Sequence, residues 1–264
     1  MKKFLSKAYI FLVFFFLYAP IAVLIAFSFN EGKGRVWTGF TFKWYGELFR
    51  DEQILGAFGN TLLIALVASV AATLLGTVAA IGIHNMRKKG RTLIKNITYL
   101  PILNPEIVTG ISLMILFTLF RLTPGFLTII LAHITFSVPT VVFSVLPKLT
   151  QMNNSVYEAA LDLGCNNVQA FRKVVVPEIM PGIVSGFLMA VTYSIDDFVI
   201  SYFTAGPDSQ TLPIVIYSIT RKPMTPKLNA LSTIVFVIVL AILLIVNVNS
   251  TNSEKKKMKK AARI

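Results

Sequence analysis

Six stretches of the chain are apolar for the ~20 residues that an α-helix needs to cross a bilayer, running roughly over 8–29, 58–84, 97–120, 125–147, 182–203 and 230–249. The composition agrees with a chain dissolved in lipid. Hydrophobic residues make up 55% and charged residues 14%, whereas a soluble domain carries about 25% charged residues. So few charges cannot coat a water-facing surface, and the mean hydropathy is +0.72. Intrinsic disorder is excluded, because it requires low hydrophobicity. The single cysteine, Cys165, excludes a disulfide framework. Long apolar runs, rather than weak alternation, exclude a membrane barrel. The fold class is therefore all-α: a polytopic membrane protein with six transmembrane helices in one domain, 1–264. The first span resembles a signal peptide, with Lys2, Lys3 and Lys7 ahead of it and Ala26-Phe27-Ser28 near its end. Its apolar run is too long for such a signal and five spans follow, so it reads as a retained anchor.

Charge sets the topology. The chain has 25 Lys and Arg against 12 Asp and Glu, a formal net charge of +13. Alternating the segments between spans puts seventeen basic residues on one side and eight on the other. The larger set comprises the N-terminus, the cluster Arg87 to Lys95, Lys148, Arg172 and Lys173, and the tail from Lys255 to Arg263. Basic residues are retained on the cytoplasmic side, so both termini are expected in the cytoplasm, in agreement with an even number of spans, which puts them on one side. Attraction to anionic membrane lipid explains the tail. It lacks the interleaved aromatics that would suggest nucleic acid. The loops are too short for a catalytic domain. There is no phosphate-binding loop, no His/Cys metal cluster and no nucleophile elbow. No catalytic or metal-binding residue is assigned, and His84 and His133 read as structural. Uphill transport by such a chain would need an ion gradient or a partner.

The inner loop between spans four and five, roughly 148–181, carries the strongest motif. It reads Glu158-Ala159-Ala160-Leu161-Asp162-Leu163-Gly164, then nine residues, then Val174-Val175-Val176-Pro177. Helix formers from Val156 to Leu163 precede a glycine able to end the helix in the left-handed conformation. Asn166 offers a fresh N-cap for a second short helix. Pro177 and Pro181 are expected to break the chain before it re-enters the membrane. On these residues alone the loop is either an amphipathic connector on the inner leaflet or a docking helix for a cytoplasmic partner.

The segment resembles the EAA loop of ABC importer permeases, whose pattern is Glu-Ala-Ala, three residues, Gly, nine residues, Ile-x-Leu-Pro. Glu158, Ala159, Ala160, Gly164 and Pro177 match in identity and spacing, and Val174 and Val176 replace Ile and Leu. The likeness covers nearly the whole chain. It includes Lys43-Trp44-Tyr45, Pro105-Glu106-Ile107-Val108, His133-Ile134-Thr135-Phe136, Ser194-Ile195-Asp196-Asp197 and Leu212-Pro213. In these stretches the chain is similar to the second permease subunit of spermidine/putrescine importers. The resemblance implies a type I importer permease in a bacterial cytoplasmic (inner) membrane. It also implies a second homologous permease, a dimer of ATPase subunits that binds ATP and Mg, and an extracytoplasmic polyamine-binding protein. This chain itself would need no cofactor. Glu158, Ala159, Ala160 and Gly164 would couple it to the ATPase.

Three of the twelve acidic residues fall inside apolar spans: Glu106, Asp196 and Asp197. A carboxylate at mid-bilayer costs about 2.5–3.5 kcal/mol, so it normally faces an interior cavity or a partner charge. A polyamine cargo would use such acids, with rings such as Tyr193 and Phe198 for its methylenes. Two other readings stand beside this one. Glu106 follows Pro101 and Pro105 and could cap a broken helix, and the Asp pair could be structural. Adjacent residues point about 100° apart on a helix, so one Asp is expected in the pathway and the other paired to a neighbour. The outer-loop aromatics Trp37, Phe40, Phe42, Trp44 and Tyr45 read as an interfacial belt. Contact of Trp44 and Tyr45 with an external binding protein is the second reading. The rival cargoes are an amino acid, a metal complex or an oxyanion. A rival from another class is an autonomous secondary transporter, which calls for an inverted repeat; none is visible.

Overall fold

The computed structural model describes residues 2–34, 36–221, 226–237 and 240. Among them there is no β-strand, only one isolated antiparallel bridge between Asn30 and Phe40. They form two compact units, one from the described residues of Met1–Leu55 and Ile216–Ile264, the other from Gly56–Val215.

The first unit begins with α1 (Lys2–Phe27). The loop that follows is organised by one buried side chain. Asn30 donates from Nδ2 to the carbonyls of Val36 (2.8 Å) and Gly32 (3.1 Å), and its Oδ1 accepts from the Thr38 amide at 2.8 Å. Helix α2 (Lys43–Leu48) then turns Trp44 inward, where it is 5% exposed and its indole Nε1 donates to the Asn30 carbonyl at 2.7 Å. This corrects the sequence expectation for Trp44. An indole N–H needs a partner when buried, and here the partner is the loop itself, so Trp44 offers no outer contact. Tyr45 is half-buried, with its hydroxyl 2.7 Å from Ser28 Oγ, and its ring packs on Phe29. Lys227, in α12 (Pro226–Val237), donates to the Asp51 carboxylate. Burial pushes the Asp51 carboxyl up. The Lys227 bond and the Ile54 and Gln53 amides outweigh that and hold it below the usual range. Of the expected sixth span, 238–239 and 241–249 lie outside the described residues, as does the basic tail.

The second unit takes in most of α3 (Glu52–Asn85), then α4 (Lys88–Leu103), α5 (Glu106–Leu119), α6 (Phe126–Gln151), α7 (Asn154–Asp162), α8 (Asn167–Ala170), α9 (Val176–Asp196) and α10 (Val199–Thr204), and runs into α11 (Leu212–Thr220). Among the described residues, four helical segments are long and apolar enough to cross a bilayer: Tyr9–Phe27, Glu52–Asn85, Phe126–Gln151 and Asn167–Asp196. Helix α3 has 34 residues, about 51 Å at 1.5 Å per residue, and so outreaches a hydrocarbon core of about 30 Å.

Small residues set the contacts at the centre of this unit. Lipid gives helices no hydrophobic reason to associate, so close backbone approach through small residues supplies the contact. Gly182 and Gly186 lie one turn apart on α9 and face α6. A Cβ on Gly182 would stand 2.8 Å from the Ser144 carbonyl oxygen, and one on Gly186 would stand 3.2 Å from the Val141 Cα. On α3, a Cβ at Gly76 would reach within 2.7 Å of the Val141 Cβ. Val141, Val142, Val145, Leu146 and Leu149 of α6 bury against Ala80 and Ile83 of α3 and Ile179 and Ala190 of α9.

Three expectations change. Span three is two helices, α4 and α5, bent by 101°. Pro105 has no amide hydrogen and forces Asn104 into extended backbone (ψ 139°), so the helix stops there. Pro177 and Pro181 break nothing. A π-turn at Phe171–Val175 joins α8 to α9, and Pro177 sits in the first turn of α9, where a missing amide hydrogen costs little. The chain is helical from Asn167 to Asp196 instead. The outer segment 204–229 also holds helix, including α11.

Gly182→Ala is expected to drive α9 off α6, because the atom in the way is backbone and cannot swing aside. Overpacking of this kind costs about 1–3 kcal/mol, read as a lower melting temperature of the purified complex. Gly46→Ala, at a glycine with open space around it, is the control and should leave the melting temperature nearly unchanged.

Candidate functional site

Two places gather the residues singled out by the sequence. The first is the segment between α6 and α9. Helix α7 is capped by Asn153, whose side chain accepts from the Ser155 amide at 3.0 Å. It ends at Gly164, which has a φ of +87°. The Gly164 amide donates to the Leu161 carbonyl (2.9 Å) and the Cys165 amide to the Ala160 carbonyl (3.1 Å). These two bonds satisfy the last carbonyls of α7 and define a Schellman turn. Asn166 then caps α8 reciprocally with Gln169, at 2.8 and 3.1 Å. Two short helices with a left-handed glycine between them are what the sequence predicts. Glu158, Ala159 and Gly164 are exposed and Ala160 is half-buried. Val156, Leu163 and Val168 place exposed apolar side chains on the same pair of helices.

The second place is a cavity of about 540 Å³ between α4, α5, α6 and α9, inside the range of about 300–1,000 Å³ typical of small-molecule sites. Glu106, Asp196, Asp197 and Tyr193 all line it. Glu106 opens α5 just past the 101° bend. Met189, Tyr193 and Asp196 stand at positions i, i+4 and i+7 of α9, one helical face. Phe136, Thr140 and Phe143 repeat that spacing on α6, and Tyr99 of α4 packs on Phe143 with ring centroids 4.2 Å apart. Three acids and no Lys, Arg or His line the cavity among the described residues.

Both aspartates reach the same cavity, which corrects the expectation drawn from helix geometry. The helix ends at Asp196, and Asp197 has extended backbone (φ −65°, ψ 120°), so the 100° rule does not apply between them. Their surroundings still differ. Asp196 is exposed, while the Asp197 side chain is only 6% exposed. The Asp197 carboxylate accepts from the backbone amides of Ser201 (2.7 Å) and Ile200 (3.3 Å), satisfying the open N-terminus of α10. The Asp197 carboxylate therefore finds its hydrogen-bond partners within the chain.

Sequence reading missed the shell behind Asp197. His133 is fully buried, with Nδ1 2.6 Å from Ser194 Oγ and Nε2 2.9 Å from Ser201 Oγ. Its Nε2 is 3.6 Å from Asp197 Oδ2. Nothing local relates residue 133 to 194 and 201. Tyr99, Phe143 and Met189 were missed too, although the shared-face spacing of 189, 193 and 196 was there to be read. No group of three or more His, Cys, Asp or Glu side chains that could hold a metal occurs among the described residues.

Long apolar helices border a cavity at a broken helix, and a capped helix pair lies between α6 and α9. Residues 72–257 match the family described as the binding-protein-dependent transport system inner membrane component, and the chain belongs to it. It is 35% identical to the spermidine/putrescine transport system permease protein PotC of Haemophilus influenzae, over 90% of this chain and 93% of that one. It is 40% identical to the putrescine transport system permease protein PotI of Escherichia coli, over 84% of this chain and 82% of that one. Among solved structures, the fold is similar to a chain of a bacterial ABC transporter that imports the acidic polysaccharide alginate. That match has a TM-score of 0.73 and 14% identity, and covers 93% of this chain and 95% of the other.

Asp197→Ala is expected to lower stability by about 1–2 kcal/mol, the usual cost of losing a helix cap. Asp196→Ala should stay within about 0.5 kcal/mol of the parent, as exposed positions do. Thermal unfolding of the two variants in one detergent reads the difference.

Proposed function

We propose that the chain is the permease half of an ATP-driven polyamine importer, and that the acidic cavity is its part of the cargo path. The observation that carries this reading is the lining. Three carboxylates from segments about 90 residues apart meet aromatic rings around one space, with no basic side chain. A flexible chain of ammonium groups and methylenes needs that combination, since carboxylates hold the charges and ring faces add about 0.5–2 kcal/mol per cation–π contact. An oxyanion would instead call for basic residues or free helix N-termini, and Asp197 already occupies the N-terminus of α10. The curated relatives named for spermidine and putrescine support the same cargo class.

In this reading a second homologous permease completes the path, an external polyamine-binding protein delivers cargo, and both termini face the cytoplasm. The pair α7–α8 seats on a dimer of ATPase subunits that hold ATP and Mg. Glu158 and the apolar side chains beside it make the contact, while Gly164 fixes the angle between the two helices.

Two experiments test this. In proteoliposomes holding the full complex, Asp196→Asn and Glu106→Gln are each expected to raise the apparent KM for labelled spermidine about tenfold, the loss expected for a charge-assisted contact. Wild-type uptake by both variants would overturn the cavity assignment. Glu158→Ala and Gly164→Leu should leave ATP hydrolysis running with little uptake. No neighbour crowds Gly164, so Leu acts there through the left-handed backbone, at about 1–2 kcal/mol. Normal coupled transport by both variants would refute the coupling role, and strong uptake by the purified chain alone would refute the ATP-driven reading.

A further inference from the structure

His133 lies behind the cavity wall and is not among the lining residues. Its imidazole spans the break between α9 and α10. Nδ1 meets Ser194, three residues before Asp197, and Nε2 meets Ser201, four residues after it. All three side chains are buried to within 2%. A buried polar group is expensive unless it is satisfied, and one placement of the ring proton satisfies both imidazole nitrogens. Asp197 accepts the Ser201 amide at 2.7 Å, and its Oδ2 lies 3.6 Å from His133 Nε2. A negative oxygen beside Nε2 favours the proton on that nitrogen, so Nε2–H donates to Ser201 Oγ. His133 Nδ1 then accepts from the Ser194 hydroxyl. The donors run in one direction, Ser194 to His133 to Ser201, with Nε2–H beside the carboxylate at the cavity wall.

We propose that His133, donating from Nε2 to Ser201, is a positioning residue for cargo: it ties α6 to both sides of the break and fixes the direction in which Asp197 meets the cavity. This rests on the polyamine reading above. It deepens that reading by naming a residue that touches no cargo yet sets cargo affinity. The two amides that hold Asp197 both belong to α10, a helix of only six residues, with the Ser201 amide at 2.7 Å and the Ile200 amide at 3.3 Å. The imidazole's hold on Ser201 steadies that short helix end, and with it the carboxylate.

The test uses the full complex in proteoliposomes, with uptake of putrescine and spermidine normalised to assembled complex. The Gln amide nitrogen reaches the place of Nε2, and the Asn amide the place of Nδ1. His133→Gln should therefore keep the Ser201 donor and hold both apparent KM values within about threefold of wild type, whereas His133→Asn and His133→Ala should raise them about tenfold with Vmax nearly unchanged. Ser201→Ala, a smaller change that keeps the backbone amide on Asp197, should reproduce the rise and covers the case in which the His133 variants fail to assemble. Equal KM values for the Gln and Asn variants, or a Ser201→Ala variant with wild-type KM, would overturn the inference. So would losses confined to Vmax, which mark a merely structural role. A wild-type complex that takes up neither amine would instead bring down the polyamine reading, and the inference with it.

Discussion

Inside a bilayer every backbone N–H and C=O must find a partner within the protein, and this structure is arranged around the two places where that rule is strained. Helices α3 and α6 meet it by being long and unbroken. The bend at Asn104–Pro105 and the break at Asp197–Phe198 do not, and both border the same cavity. Irregular backbone at membrane depth is tolerated where it lines such a space. At the first break Pro105 removes an amide that would otherwise go unpaired. At the second, the Asp197 carboxylate takes the free amides of α10. One side chain thereby closes a backbone deficit and adds negative charge to the cavity wall.

Much of this was legible in the sequence, and what was not has identifiable causes. Length and apolarity located the spans, because a helix in lipid leaves no subtler signature. The cap at Asn166 and the left-handed Gly164 were readable because both are decided within a few residues. The joint placement of Glu106, Tyr193, Asp196 and Asp197 could be suspected from the cost of burying charge, but their meeting in one cavity is tertiary. Proline was readable at one site, where a broken helix capped by Glu106 was among the readings, and misled at the other. Pro105 ends a helix that hydropathy alone would have carried across the membrane, while Pro177 is absorbed by a π-turn ahead of it. Nothing in the sequence chooses between those outcomes, because the choice depends on what packs beside each proline. Trp44 misled for a related reason. An aromatic residue in an outer loop usually anchors at the interface, and only the three-dimensional loop shows that the Asn30 carbonyl is there to receive its indole N–H.

The glycines separate two physical needs. Gly182 and Gly186 are required for what they lack: a side chain there would meet the α6 backbone. Gly164 has open space around it and is required for its backbone angle alone. The first kind holds the span bundle together, and the second sets a turn at its edge. A substitution at either site changes the protein, but the first acts through packing and the second through a local hinge.

That hinge stands at one end of a continuous structural element. From Asn167 the chain runs as helix to Asp196, 30 residues and about 45 Å, so the same rod begins beside α7 and ends at the acidic wall. A displacement of α7 and α8 cannot be taken up by a flexible linker along this path. It must either move the far end of the rod or be absorbed at the π-turn, Phe171–Val175, where the helical hydrogen-bond pattern changes. The dense contact of α9 with α6 through Gly182 and Gly186 resists tilting α9 alone, and favours moving α6 and α9 as a pair. Such a motion would carry Asp196, on α9, together with Phe136 and Phe143, on α6. Helix α5 is not a separate wall: its Leu113 and Phe117 pack on Ala132 of α6 and Ile200 of α10, so the acids of the cavity are held on one packed set of helices.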